Sequence, residues 1–186
     1  MLKINDKLDS RLLLHICCAP CALSPVPEFF GRIEYSGFFF NPNIYDSIEY
    51  EKRLFEVEKI SEIFKFPLIV SQTSYYDFID FVKGLENEPE GGARCLKCFE
   101  LRLSETFKYA KQNNFKYIAT TLSTSPHKNI SAINAIASRL SERFSGVTFL
   151  EYDFKKNEGY KKSIERCKSF SIYRQNYCGC SFSIHK

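Results

Sequence analysis

Eight cysteines stand in this chain of 186 residues, and seven of them fall into three groups. The first is Cys17, Cys18 and Cys21, at the end of the run Leu12-Leu13-Leu14-His15-Ile16; the others are Cys95-Leu96-Lys97-Cys98 and Cys178-Gly179-Cys180. Two residues between thiols let both sulfurs turn toward one centre, so Cys95 and Cys98 form a pair usable by zinc, an iron–sulfur cluster or a thioredoxin-like redox site. Joined by Cys17 and Cys18 they make four thiolates, enough for a closed zinc site or a four-iron cluster. A lone pair of cysteines after an apolar strand would simply be core, because cysteine is among the most buried residues. The third thiol at Cys21 tips the reading toward chemistry. Cys21 also falls near a helix start, where the dipole is expected to favour its thiolate. In Cys178-Gly179-Cys180 a single glycine separates the thiols, and a ring closed between them is expected to be strained and easily cycled, which suits a two-electron dithiol relay. Cys167, alone on a Lys/Arg-rich stretch, is expected to have no role.

A chain of this length can bury a full core without disulfide staples. It shows no charged leader followed by an apolar stretch and no run approaching a membrane span, so a cytoplasmic location without membrane contact is expected. In that reducing setting grouped cysteines are metal ligands or catalytic thiols more often than bridges. The net charge, 26 − 22 = +4, permits a polyanionic partner without requiring one. Aromatic residues are many, 18 Phe and 11 Tyr, and serve packing first and base stacking second.

Strand-and-helix alternation positions these groups. Strands are expected at 12–16, 36–40, 67–70, 116–120 and 147–150. Helices are expected from the Ser24-Pro25 cap through Phe30, from Asp46 or Ser47 through Phe64, over 75–82, from the Cys95-x-x-Cys98 pair to Asn113-Asn114, after a second cap-plus-proline at Ser125-Pro126, and over 160–173. Residues 1–10 read as a loose lead-in, 86–92 as an exposed loop and 160–186 as a C-terminal redox segment. The pattern predicts one α/β domain over 1–186, a doubly wound parallel sheet flanked by helices. Ligands of such sheets bind beyond the carboxyl ends of the strands. There lie Cys17, Cys18 and Cys21 after the first strand, Asn41 and Asn43 after the second, Ser123, Ser125, His127 and Lys128 after the fourth, and Asp153 after the fifth. Asn41, Asn43, Ser123, Ser125 and His127 are therefore substrate-binding candidates. Arg94, Lys128, Arg166 and Arg174 could hold phosphates. His15, on an apolar strand, reads as a satisfied core histidine, and His185 as a tail residue without a role.

Taken together, LLLHICCAPC at 12–21, FNPNI at 40–44, EYEKR at 49–53, RCxxCFxLRL at 94–103, TTLSxSP at 120–126 and YRQxYCGCxFS at 173–183 resemble the QueH family of epoxyqueuosine reductases across nearly the whole chain. The resemblance implies removal of the epoxide oxygen from epoxyqueuosine in tRNA, the last step of queuosine synthesis. It also implies a HUP-like fold and a 4Fe-4S cluster, without cobalamin. Carried onto this chain, Cys17, Cys18, Cys95 and Cys98 would be the cluster ligands and Cys178 with Cys180 a redox-active disulfide. A separate mononuclear iron beside the cluster is implied too, with Cys21, Cys180 and Asp153 as candidate ligands, and an electron donor must resupply the centre. Two rivals remain. A tRNA-thiolation enzyme of the same fold would carry a glycine-rich phosphate loop where this chain has Cys-Cys-Ala-Pro-Cys; a zinc-stabilised RNA-binding module would hold zinc and no sulfide.

Overall fold

A computed structural model describes residues 11–184; the lead-in at 1–10 and His185 lie outside the described residues. Five strands form one parallel sheet: β1 (Leu12–His15), β2 (Tyr35–Phe39), β3 (Leu68–Val70), β4 (Tyr117–Thr120) and β5 (Thr148–Phe149). Their order is β3-β2-β1-β4-β5, and every neighbouring pair is parallel. The chain thus winds one way from β1 through β2 to β3, then returns to build β4 and β5 on the other side. The reversal falls between β1 and β4, and their carboxyl ends mark the place where such sheets leave a crevice.

Burial follows the two-residue period of a strand covered on both faces. Leu12, Leu14 and Ile16 pack on one side with Val57 and Ile60 of α3 (Ser47–Ile63) and Cys167 of α7 (Gly159–Ser169). Leu13 faces the other side, among Leu103 and Phe107 of α5 (Ala93–Gln112) and Ile133 and Ala137 of α6 (Ile130–Arg143). Gly37 of β2 lacks a side chain for a packing reason: a Cβ there would come within 2.8 Å of Phe66 and 2.9 Å of Ile16.

Helix starts differ from expectation where a nearer acceptor competes. Ser24 caps nothing: its side chain is turned to the Phe154 carbonyl, to which its hydroxyl donates at 2.7 Å, and Pro25 stands at the N-cap of the single turn α2 (Val26–Phe29). An unforeseen turn, α1 (Ala19–Ala22), precedes it with Pro20 near its start. Ser125 does not cap α6 either; Asn129 does, accepting from the Ala132 N–H at 3.1 Å. Asp46 caps α3 as expected, through the Glu49 N–H at 2.9 Å. The C-terminal helix stops at Ser169, short of 173, and α4 covers Tyr75–Phe81.

At Gly159, where α7 begins, a Cβ would sit 1.9 Å from the Phe154 carbonyl oxygen and 2.7 Å from Ser24 Oγ. Gly159→Ala must therefore push α7 off that junction. We expect a cost of about 2 kcal/mol and a melting temperature lower by about 4–8 °C, read by thermal denaturation of otherwise identical preparations.

Candidate metal and redox centre

A cavity of about 590 Å³ opens at the carboxyl ends of β1, β2 and β4, and all seven grouped cysteines line it. Cys17 and Cys18 arrive from β1, Cys21 from α1, Cys95 and Cys98 from the first turns of α5, and Cys178 and Cys180 from the C-terminal segment. Three stretches far apart in sequence thus converge because the sheet's crossover delivers two of them and the tail folds back to bring the third. All eight cysteines are free thiols.

The densest part is Cys17, Cys18 and Cys21, whose sulfurs lie within 4.8 Å of one another. Cys17 and Cys18 sulfurs are 3.8 Å apart. Cys95 and Cys98 border the same space but stand outside that tight group. Hydrogen bonds from Cys18 and Cys21, with Lys128 and Arg102 nearby, hold the Cys17 thiol well below its ordinary range despite burial. Its neighbours move the other way: Cys18 is pushed up to about 11 by its bond to Cys17, and Cys21 well above its ordinary value by Cys17 and Cys18. Within this trio one sulfur carries the charge and the others donate to it. The expected dipole-favoured thiolate at Cys21 is therefore corrected: two adjacent thiols outweigh a one-turn helix. Burial raises Cys98 to about 12 and raises Cys95 and Cys180 as well.

The Cys178-Gly179-Cys180 segment is braced, and its bulky neighbours are anchored. Arg53, buried and ion-paired to Glu49 at 2.7 Å, donates to the carbonyls of Cys178 at 2.9 Å and Tyr177 at 3.3 Å. The Gly179 carbonyl accepts from the Tyr45 N–H at 2.9 Å, and the Tyr75 hydroxyl meets Ser181 Oγ at 2.6 Å. The Arg53 guanidinium lies over the Tyr177 ring and that of Arg94 over Phe182, at 5.2 and 4.5 Å. Tyr173 adds a hydroxyl bond to Glu49 at 2.9 Å.

Of the polar candidates, Asn41, Asn43, Ser125, His127, Lys128, Arg94 and Arg174 line the cavity. The buried Asn43 Oδ1 has no hydrogen-bond partner, and the residue lines the wall. Lys128 is partly buried; desolvation opposes its charge, but Cys17, Cys178 and Cys21 more than offset this and raise its pKa. Asn41 is occupied structurally, donating to the Ile16 carbonyl at 3.0 Å and accepting from Arg102. Arg94 lines the wall, yet its Nη1 is spent on the carbonyls of Leu85, Glu86 and Glu88, where it ties down the 86–92 loop.

Three expected residues do not reach the cavity. Ser123 is buried in a 3₁₀ turn (Thr121–Thr124), its hydroxyl donating to the Thr120 carbonyl at 3.2 Å. Asp153 caps a turn beyond β5 by accepting from the Lys155 N–H at 3.0 Å, and Glu90 is instead the carboxylate on the cavity wall. Arg166 donates to the carbonyls of Leu23 and Ser24 and pairs with Glu28 at 2.8 Å, fastening α7 to the first turns. His15 is a satisfied core histidine, bonded to Thr120 Oγ1 at 2.7 Å and held neutral, with its pKa lowered to about 3 by burial and by Arg102.

The residues missed were charged ones on buried faces. Arg102 falls on the stripe Phe99, Leu103, Phe107 and Ala110 of α5, and Glu49, Arg53 and Glu56 are likewise buried on α3. A charge at an apolar position of the helical period was the available signal. Cys167 is buried in the core on the far side of the sheet from α5 and does not line the cavity. Cys167→Ala should leave iron content and activity unchanged while costing about 1 kcal/mol of stability, measured by metal analysis and denaturant unfolding.

Residues 12–186 match the family described as epoxyqueuosine reductase QueH. Relatives named epoxyqueuosine reductase QueH include those of Acinetobacter baylyi, 36% identical over 98% of this chain and 84% of theirs, and Streptococcus pyogenes, 35% identical over 98% and 74%. The relative from Thermotoga maritima is 35% identical over 93% of this chain and 90% of its own. Among solved structures, the U34-tRNA thiolase NcsA of Methanococcus maripaludis with its [4Fe-4S] cluster superposes with a TM-score of 0.60 at 11% identity, covering 98% of this chain and 63% of that one. That likeness concerns the fold.

Proposed function

The chain belongs to the QueH family of epoxyqueuosine reductases, and from that premise we propose that the thiol-lined cavity holds an iron–sulfur centre at which the epoxide of epoxyqueuosine in tRNA is reduced to the alkene. The observation that carries this reading is the meeting of seven thiols from three distant stretches around one cavity. The donor set fits the group: soft sulfur ligands in number, a cavity of about 590 Å³ that they line together, and the cations Arg102 and Lys128 beside them to offset thiolate charge. Cys17, Cys18, Cys95 and Cys98 would hold the 4Fe-4S cluster. Cys21 would be left for an adjacent mononuclear iron, with Cys180 kept for the dithiol.

Removing an epoxide oxygen takes two electrons, two protons and an electrophile at that oxygen; the bound iron supplies the electron path and the Lewis acid. The protein's own groups do the rest. Cys178 and Cys180 as a dithiol carry an electron pair and two protons together, so that epoxide plus dithiol gives alkene, water and disulfide, and an external donor then restores the thiols. Arg53 and Gly179 hold that dithiol against the cavity. Lys128 and Arg174 form a cationic rim for anticodon-loop phosphates, with His127 beside them as a hydrogen-bonding group. No described helix is long and apolar enough to cross a membrane.

The test is anaerobic incubation with epoxyqueuosine-containing tRNA and a reductant, followed by mass spectrometry of the nucleosides. Loss of one oxygen from epoxyqueuosine is expected; an unchanged nucleoside with metal-loaded protein would sink the reading. A second reading has one observation behind it. The 3.8 Å separation of the Cys17 and Cys18 sulfurs is the edge of a tetrahedron around a single ion with metal–sulfur bonds of about 2.3 Å, as in a zinc-stabilised RNA-binding module. Zinc without sulfide would favour that module.

A further inference from the structure

Three buried arginines surround this centre, and they differ in how far their N–H groups are satisfied. Arg53 has Glu49 and two carbonyls; Arg94 spends its Nη1 on three carbonyls of the 86–92 loop and its neighbourhood, and leaves its Nε without an acceptor. Arg102 is different. It is 2% exposed, one helical turn beyond Cys98 on α5, and lines the cavity. Its Nη2 donates to Asn41 Oδ1, and Asn41 is itself fixed by its bond to the Ile16 carbonyl. Its buried Nε–H has no acceptor, and no carboxylate pairs with it among the described residues. A buried guanidinium whose partners are a neutral amide oxygen and the Cys98 sulfur is costly unless an anion belongs beside it. Burial opposes the charge, yet the sulfurs of Cys98, Cys17 and Cys178 more than offset that and raise the pKa, so sulfur is what its charge faces in these surroundings.

We propose that Arg102 is a positioning residue for the iron–sulfur centre, a buried counter-charge whose unpaired N–H bonds to cluster or ligand sulfur and holds the reduction potential up. The inference rests on the cluster reading above. A reduced cluster carries one more negative charge than the oxidised one, so a fixed cation and N–H···S bonds stabilise the reduced form. Asn41 orients the fork from behind, which leaves Nε as the donor still to be satisfied.

The test compares wild type, Arg102→Met and Arg102→Lys after anaerobic reconstitution. Iron and sulfide are counted, the midpoint potential is measured by redox titration followed by visible absorption and electron paramagnetic resonance, and folding of the metal-free chains is checked by circular dichroism. In Arg102→Met the reduced-to-oxidised ratio at a fixed solution potential should fall at least about tenfold, a drop of about 59 mV for one electron. Arg102→Lys, which keeps the charge and loses the fork, should fall between. A folded Arg102→Met that cannot retain the cluster, beside an Arg102→Lys that can, supports the same role. If Arg102→Met does not fold, Arg102→Lys decides alone: a lowered potential supports the proposal and an unchanged one overturns it. Wild-type potential in a loaded Arg102→Met overturns it as well, while a wild-type protein without sulfide removes the cluster reading itself.

Discussion

Serine at position 17, 18, 95 or 98, introduced singly, strips the anaerobically isolated protein of its brown colour and most of its sulfide, and lowers epoxyqueuosine reduction by roughly 100-fold or more. The effect is large because these four thiols come from two separate elements that line one cavity, Cys17 and Cys18 at the end of β1 and Cys95 and Cys98 on α5. A serine hydroxyl is smaller, harder and far less acidic than a thiol, so it neither reaches nor holds iron in the same way. Cys167→Ala serves as the control within the same chain, because Cys167 packs among apolar residues on the opposite side of the sheet from α5. Full iron and sulfide in all four serine variants would refute the ligand assignment.

Gly179→Ala is expected to lower turnover by about 10–100-fold while leaving iron and sulfide near wild type. Gly179 has φ of +115°, in the region that L-residues rarely adopt, and a Cβ there would stand 2.9 Å from Arg53 Nη1 and 3.3 Å from Ile44 Cγ1. Both insults fall on the same brace. Arg53 Nη1 donates to the Cys178 carbonyl, so moving it releases the dithiol segment from the cavity wall. The cluster ligands on β1 and α5 are untouched, which is why metal content and activity should separate. Metal loss in parallel with activity would mean that Cys178 and Cys180 belong to the metal site and not to a relay beside it.

How much of this could be read in the chain depends on the range of the forces concerned. The apolar strands, the long helix capped at Asp46 and the rule that chemistry gathers beyond the carboxyl ends of the strands rest on local periodicity, and they placed Cys17, Cys18, Asn43, Ser125 and His127 at the cavity. Motif spacing placed Cys95 and Cys98 on the opening turns of α5. Expectations went astray where a residue's partner lies far along the chain. Ser24 has the sequence of a cap, yet its hydroxyl prefers the carbonyl of Phe154, 130 residues away. Arg94 and Arg166 look like phosphate anchors, but each finds backbone carbonyls first. Asp153 follows a strand, as a ligand should, but turns its carboxylate onto the Lys155 N–H. Arg53 and Arg102 resemble solvated helix charges until the fold delivers Cys178 and Asn41 to them. Local pattern decides elements and edges; long-range hydrogen bonds decide which polar groups remain free to act.

The central claim is that distant thiols meet to hold iron and sulfide together. It is tested most directly by counting iron and acid-labile sulfide per chain in protein purified without oxygen. The account predicts about four sulfides with at least as many irons. Zinc in their place, with no sulfide released on acidification, would contradict it.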